Sequence, residues 1–331
     1  MRGLLIVIVV AAVLAVAGWF GGEIWLSRQA AAQIEASPEI SAEAAPLRQA
    51  GRFGLRLSDV EMGDAQSGLR APFVDLFAPV WRPNAFSFDL PDALTLRAGG
   101  ADLPVTLEGG TGFAAFAPTN RAALSEAGID AQRVTLNGLP LLDLLEMRAD
   151  LVHPGLNAPP GTGAAYDVTL DLAGLDAAAW TGIALPGALG AAGALRVWLT
   201  DAPGRGALSG DMSQPELIGA ATDGLRLTLG GVEARLIGSV TADAAGLAEG
   251  EAAIYSTDTR ALLEAAASLG IVPEAAVLPA LAGLTTLSEV TTDAGSLPPA
   301  REGELRLPLS FANGESRIGP VVIGPAPPIR Q

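Results

Sequence analysis

Apolar residues at every second position, in short runs broken repeatedly by glycine or proline, set the narrowest limit on what this chain can fold into. Leu55 and Leu57 alternate with Arg56 and Ser58, and Phe86, Phe88 and Leu90 with Ser87 and Asp89. Leu94/Leu96 and Leu103/Val105/Leu107 repeat the pattern, as do Val134/Leu136 and Met147/Ala149/Leu151. Tyr166, Val168, Leu170 and Leu172 alternate with Asp167, Thr169 and Asp171. Leu195/Val197/Leu199, Leu225/Leu227/Leu229 and Val232/Ala234/Leu236 follow. A period of two places successive side chains on opposite faces, which is the pattern of a strand with one buried face. Forty glycines and 24 prolines supply the turns between such strands. Gly230-Gly231 reads as a two-residue hairpin turn, and so does Asn313-Gly314 between Leu305/Leu307/Leu309/Phe311 and the last strands.

Two stretches depart from this period. Leu4–Phe20 contains seventeen residues without a charge, preceded by Arg2 and followed by Glu23 and Arg28. That is near the lower limit of a transmembrane helix. Trp19, Phe20 and Trp25 stand at its end, where aromatic rings favour the headgroup layer. A single-pass anchor in the inner membrane is expected, with the N-terminus cytoplasmic and the body periplasmic. The rival is a cleaved signal peptide, with Ala15-Val16-Ala17 as the small-residue site, although the apolar run continues through that site. The second departure is 258–287. There Asp258 or Thr257 caps a helix whose face carries Leu262, Leu263, Ala266 and Leu269, with Gly270 as its stop. Pro273 opens a second helix bearing Val277, Leu278 and Leu281.

The expected architecture is mainly β with some α. It has an N-terminal transmembrane helix, a long, curved, mostly antiparallel sheet (groove-like or folded over), and a helical pair near the C-terminus. Residues 1–28 form the anchor or signal. Residues 29–50 form a helix reaching about Ser37 and then a connector broken by Pro38 and Pro46. Residues 51–331 form one periplasmic β-rich domain with the helical insertion. Gly155–Gly163 is read as a loop rather than a domain boundary.

Charge and composition exclude several functions. The net charge is −16, and all 20 basic residues are arginine. Such a surface repels phosphate backbones, so no nucleic-acid partner is expected. There is no cysteine and only one histidine, His153. A zinc centre lacks ligands, and a serine–histidine–aspartate triad would depend on His153, which Pro154 marks as a turn residue. Asp167 with Asp171 could hold calcium, but their place on the outward strand face suits solvated charge better. Glu302 and Glu304 read likewise. Gly109-Gly110-Thr111-Gly112 lacks the lysine of a phosphate loop. No cofactor and no catalytic residue are expected. A periplasmic hydrolase rests only on scattered carboxylates.

What remains is apolar area that two short helices cannot wholly cover. The residues expected to line an apolar groove are Phe86, Phe88, Leu90, Val168, Leu170, Leu227, Leu307, Leu309 and Phe311. The alternative is a closed core. The expected function is non-enzymatic: binding, or helping to move, lipid or another apolar ligand beside the inner membrane that residues 4–20 occupy. A structural or assembly factor docking an envelope protein partner is the second expectation. Arg82-Pro83-Asn84 after Trp81 reads as a packed corner between strands, with Trp81 supplying packing surface. The lesser reading gives Arg82 a lipid headgroup contact.

Three segments resemble a known family. They are GRFGLRL (51–57), LRAPFVDLFAPVWRPN (69–84) and PLSFANGESRIGPVVIGPAPPI (308–329). Together they resemble the bacterial envelope proteins grouped as domain of unknown function 2125. The last segment is also similar to the endings of AsmA-like proteins, which are membrane-anchored and built on long β-sheets. The resemblance implies an envelope location and, by analogy only, lipid handling. It brings no catalytic residue with it.

Overall fold

The computed structural model describes residues 22–32, 34, 40–118, 122–176, 187–204, 215–268, 272–273, 275, 277–279, 281–282, 297–319 and 321–330. The apolar run Leu4–Phe20, with its proposed cleavage site, therefore lies outside the described residues, as do Leu269 and Gly270. Among the described residues no helix is long and apolar enough to cross a membrane.

Among the described residues sixteen antiparallel strands make up the sheet. They are β1 (Ile40–Pro46), β2 (Arg52–Gly63), β3 (Ser67–Pro79), β4 (Ala85–Asp89), β5 (Ala93–Ala98), β6 (Ala101–Ala117), β7 (Ala123–Leu136) and β8 (Leu139–Val152). Then come β9 (Ala164–Leu175), β10 (Leu189–Leu199), β11 (Leu217–Leu229), β12 (Val232–Ala242), β13 (Ala248–Ser256), β14 (Leu305–Ala312), β15 (Glu315–Ile318) and β16 (Val321–Pro325). Each strand pairs with its sequence neighbours, except that β4 pairs β3 with β6 while β5 joins the same two strands farther along. Two primed hairpin turns stand where the sequence places them. Gly230 and Gly231 both have positive φ, and so do Asn313 and Gly314.

The chain divides into two compact units. The first comprises Met1–Phe116 and Ile129–Leu139, and the second Ala117–Gly128 and Pro140–Gln331. The division falls within strands rather than in a linker, and the expected loop Gly155–Gly163 lies inside the second unit. In the first unit the helix α1 (22–32 and 34) packs on β2. A Cβ on Gly22 would stand 2.9 Å from the Phe53 ring, so the helix backbone lies directly on that side chain. Residues 40–46, expected as connector, are strand β1, paired with β2 from Ile40–Met62 to Pro46–Leu55. Proline is tolerated there because β1 is an edge strand whose outer N–H groups need no ladder partner.

In the second unit one sheet face can be followed through the register. Val168 pairs with Leu195, Leu236 with Ile254, and Ile254 with Leu307. The expected helical pair covers the end of that face. Helix α2 (Thr259–Ser268) starts at Asp258, whose Oδ1 accepts the Ala261 N–H at 3.0 Å. Its Leu263 and Ala266 close over Leu307 and Ile318, joined by Val272 and Val277. Leu281 packs against the same cluster, whereas Leu278 is exposed.

Candidate functional site

The expected groove residues divide between the two units. In the second unit, Val168 and Leu170 of β9, Leu227 of β11 and Leu307, Leu309 and Phe311 of β14 all occupy the face just traced, as their alternation requires. They do not form one open groove. Leu307 is 2% exposed and belongs to the core under α2, and Leu309 packs against that core. An apolar depression of about 170 Å³ lies on the same face, between Leu195, Leu225, Leu236 and Val240.

The first unit holds a larger space. A cavity of about 740 Å³ lies over β2, β3 and β4, within the range of about 300–1,000 Å³ usual for small-molecule sites. Its floor is Phe53, Leu55, Leu76, Val80 and Phe86, and Leu26 of α1 stands at its side. Phe86 was expected here. Phe88, directly opposite Leu76 in the register, shares the same face. Leu90 lies past the end of β4, where its N–H donates to the Gly110 carbonyl at 2.7 Å. Phe86 also meets Phe116 edge to face, with ring centroids 6.1 Å apart. The cavity wall is half open: Leu76 is 38% exposed and Phe86 49%.

Alternate positions behind this floor carry a charge ladder. Arg56 donates two hydrogen bonds to Asp75, at 2.6 and 2.7 Å, and lies 4.6 Å over the Phe73 ring. Arg52 pairs with Asp89 at 2.6 Å and lies 4.2 Å over Phe77. The Asp75 carboxylate raises the Arg56 pKa above its ordinary value through that hydrogen bond. These pairs fix the register of the strands beneath the cavity and leave its apolar face free of charge.

Glu23 joins α1 to this floor. Its carboxylate is fully buried and accepts the Gly54 N–H at 3.1 Å and the Arg48 N–H at 3.3 Å. A buried carboxylate is tolerated where backbone donors meet it. In sequence it looks like the boundary charge after an apolar run, so sequence reasoning missed its structural role. The only signal was a single acid directly before Ile24-Trp25-Leu26.

The β3–β4 corner differs from expectation. Asn84 does satisfy backbone, donating from Nδ2 to the Phe116 carbonyl at 3.0 Å. Arg82 sits in the tight turn, its N–H on the Pro79 carbonyl at 2.9 Å. Trp81, however, is 75% exposed and so is not packing surface between strands. Its ring lies alongside Gly51, in the turn before β2.

Three of the scattered polar candidates make local contacts. Asp167 takes a two-pronged bond from Arg196, at 2.7 and 2.9 Å, which depresses its pKa below the usual carboxylate range. Glu304 pairs with Arg235 at 2.9 Å, and Arg235 lies 4.5 Å over Tyr255. His153 Nδ1 accepts the Gly155 N–H at 3.1 Å, making a local turn. Gly109–Gly112 lies within β6. Among the described residues no group of three or more histidine, cysteine or acidic side chains could hold a metal ion.

A family model described as an uncharacterized protein conserved in bacteria (DUF2125) matches residues 23–327. The chain belongs to that family. No curated protein and no solved structure matches it.

Proposed function

We propose that this member of the DUF2125 family is a membrane-anchored periplasmic protein that binds, and helps to move, an apolar ligand. A lipid acyl chain is the foremost candidate. Leu4–Phe20 is the anchor, with the N-terminus cytoplasmic, and the protein performs no reaction of its own. The observation that carries this reading is the cavity of about 740 Å³ over β2–β4, floored by Phe53, Leu55, Leu76, Val80 and Phe86. Among the described residues that line it none is charged. Apolar surface of this kind left open in a soluble body is a binding feature more often than an accident.

The test is lipid content. Purified full-length protein in detergent is expected to retain a stoichiometric lipid or fatty acid by native mass spectrometry. A Leu76→Asp/Phe86→Asp double variant is expected to lose it while keeping its β-sheet circular dichroism. Equal lipid content in both proteins, or none in either, would overturn the reading.

Docking of an envelope protein partner is the second reading, supported by β1, which among the described residues has β2 as its one neighbour in the sheet. An edge strand offers its unpaired N–H and C=O groups to an added strand. Photo-crosslinking from Glu43 in cells would yield a discrete protein adduct under this reading and none under the first.

A further inference from the structure

The end of the first unit at which α1 begins carries a second pattern. Gly22 lies on Phe53, and Glu23 holds the N–H groups of Gly54 and Arg48, so α1 starts beside the turn that precedes β2. The turn after β3 is at the same end, because the Val80 N–H donates to the Gly51 carbonyl at 3.1 Å. Large apolar side chains gather there in the open. Trp25 is 62% exposed, Trp81 75% and Val80 47%. The charges there are also unlike those of the whole chain. Arg28 and Arg48 are exposed there, and the one acid of segments 22–30 and 47–51 is the buried Glu23, in a chain of net charge −16.

We infer that this end is seated in the bilayer interface, with Trp25 and Trp81 at headgroup depth and Arg28 and Arg48 against lipid phosphates. The inference rests on the anchor reading above and adds to it an orientation. Two facts select lipid as the occupant over a protein. The apolar run ends at Phe20, two residues before α1, so this end cannot lie far from the membrane that the run enters. Tryptophan mixed with arginine is the composition that favours the interface and its phosphates. Leu76, Val80 and Phe86 of the cavity then face the region from which an acyl chain would come.

The test uses the full chain in nanodiscs of ordinary or acyl-brominated phosphatidylcholine with phosphatidylglycerol. The fluorescence difference between wild type and Trp81→Phe isolates Trp81 without disturbing buried Trp198. That difference is expected to fall about twofold or more in brominated lipid and to resist aqueous iodide. Arg28→Glu/Arg48→Glu is expected to weaken the quenching. A chain that stays in the nanodisc while Trp81 is quenched by iodide and not by bromine overturns the seat but leaves the anchor standing. A chain that does not associate with nanodiscs overturns both. Lipid content of the cavity is read separately, so its failure leaves the seat intact.

Discussion

Two stretches of the same sheet, built on the same alternation, end differently. Over β13 and β14 the apolar face is roofed by α2, and Leu263, at 1% exposure, seals it against Leu307. Over β2–β4 the cover is α1, and past Leu26 it leaves Leu76, Val80 and Phe86 half open. The strands do not make the difference, since Leu307 and Leu76 stand at equivalent alternate positions. The covering element does. Helix α2 is amphipathic and drops its face onto the sheet, whereas α1 is tied down by one buried carboxylate near its start and a glycine on Phe53.

That contrast should break down most sharply at Leu263. Leu263→Ala is expected to cost about 3 kcal/mol in chemical denaturation, the usual result of emptying a sealed core. Leu76→Ala is expected to cost far less while lowering bound lipid. Equal costs would mean that the cavity is as closed as the core.

Beneath the cavity, Arg56→Ala leaves Asp75 buried without its partner. Arg56 itself is partly exposed, so a loss of about 2 kcal/mol is expected rather than the larger figure for a fully buried pair. The same denaturation curves measure it. Glu23→Ala strands the N–H groups of Gly54 and Arg48 at a cost of about 2 kcal/mol or less. Its distinctive readout is faster hydrogen exchange at those two amides, with the α2 core unchanged.

A smaller effect separates the units by pH. The chain has two tyrosines and no lysine, so little else titrates between pH 9 and 12. Burial pushes the Tyr166 hydroxyl up to about 12 from 10.0, and it donates to the Leu124 carbonyl at 2.7 Å. Tyr255 is also raised, through burial first. A raised folded-state pKa means stability that is whole below pH 10 and is lost as the pH climbs toward 12. Alkaline weakening is therefore expected in the second unit, which holds both tyrosines, and Tyr166→Phe should remove part of it. Denaturation at pH 8 and 11.5 checks this.

Much of the fold was legible because the deciding interactions are local. The alternation of Leu225, Leu227 and Leu229, the Gly230-Gly231 turn and the Asp258 cap each act within a few residues. Strand β1 was not legible, because its Ala/Glu-rich sequence favours helix and only pairing with β2 makes it a strand. Nor was the division of the groove. Alternation reports which face a residue takes and says nothing of what lies over it, so Phe86 and Leu307 looked alike. Glu23 and Trp81 were misjudged for a related reason. Glu23 finds its donors 25 and 31 residues away, and Trp81 is left outside a corner that its size suggested it would fill.

The central claim is that the β2–β4 cavity receives an acyl chain. Phospholipid carrying a diazirine at mid-chain, photolysed with the full-length protein in native-lipid nanodiscs, tests it directly. Adducts are expected on peptides spanning Phe53–Leu55 and Leu76–Phe86, suppressed in Leu76→Asp/Phe86→Asp. Adducts confined to Leu4–Phe20, with those peptides unlabelled in wild type, would contradict it.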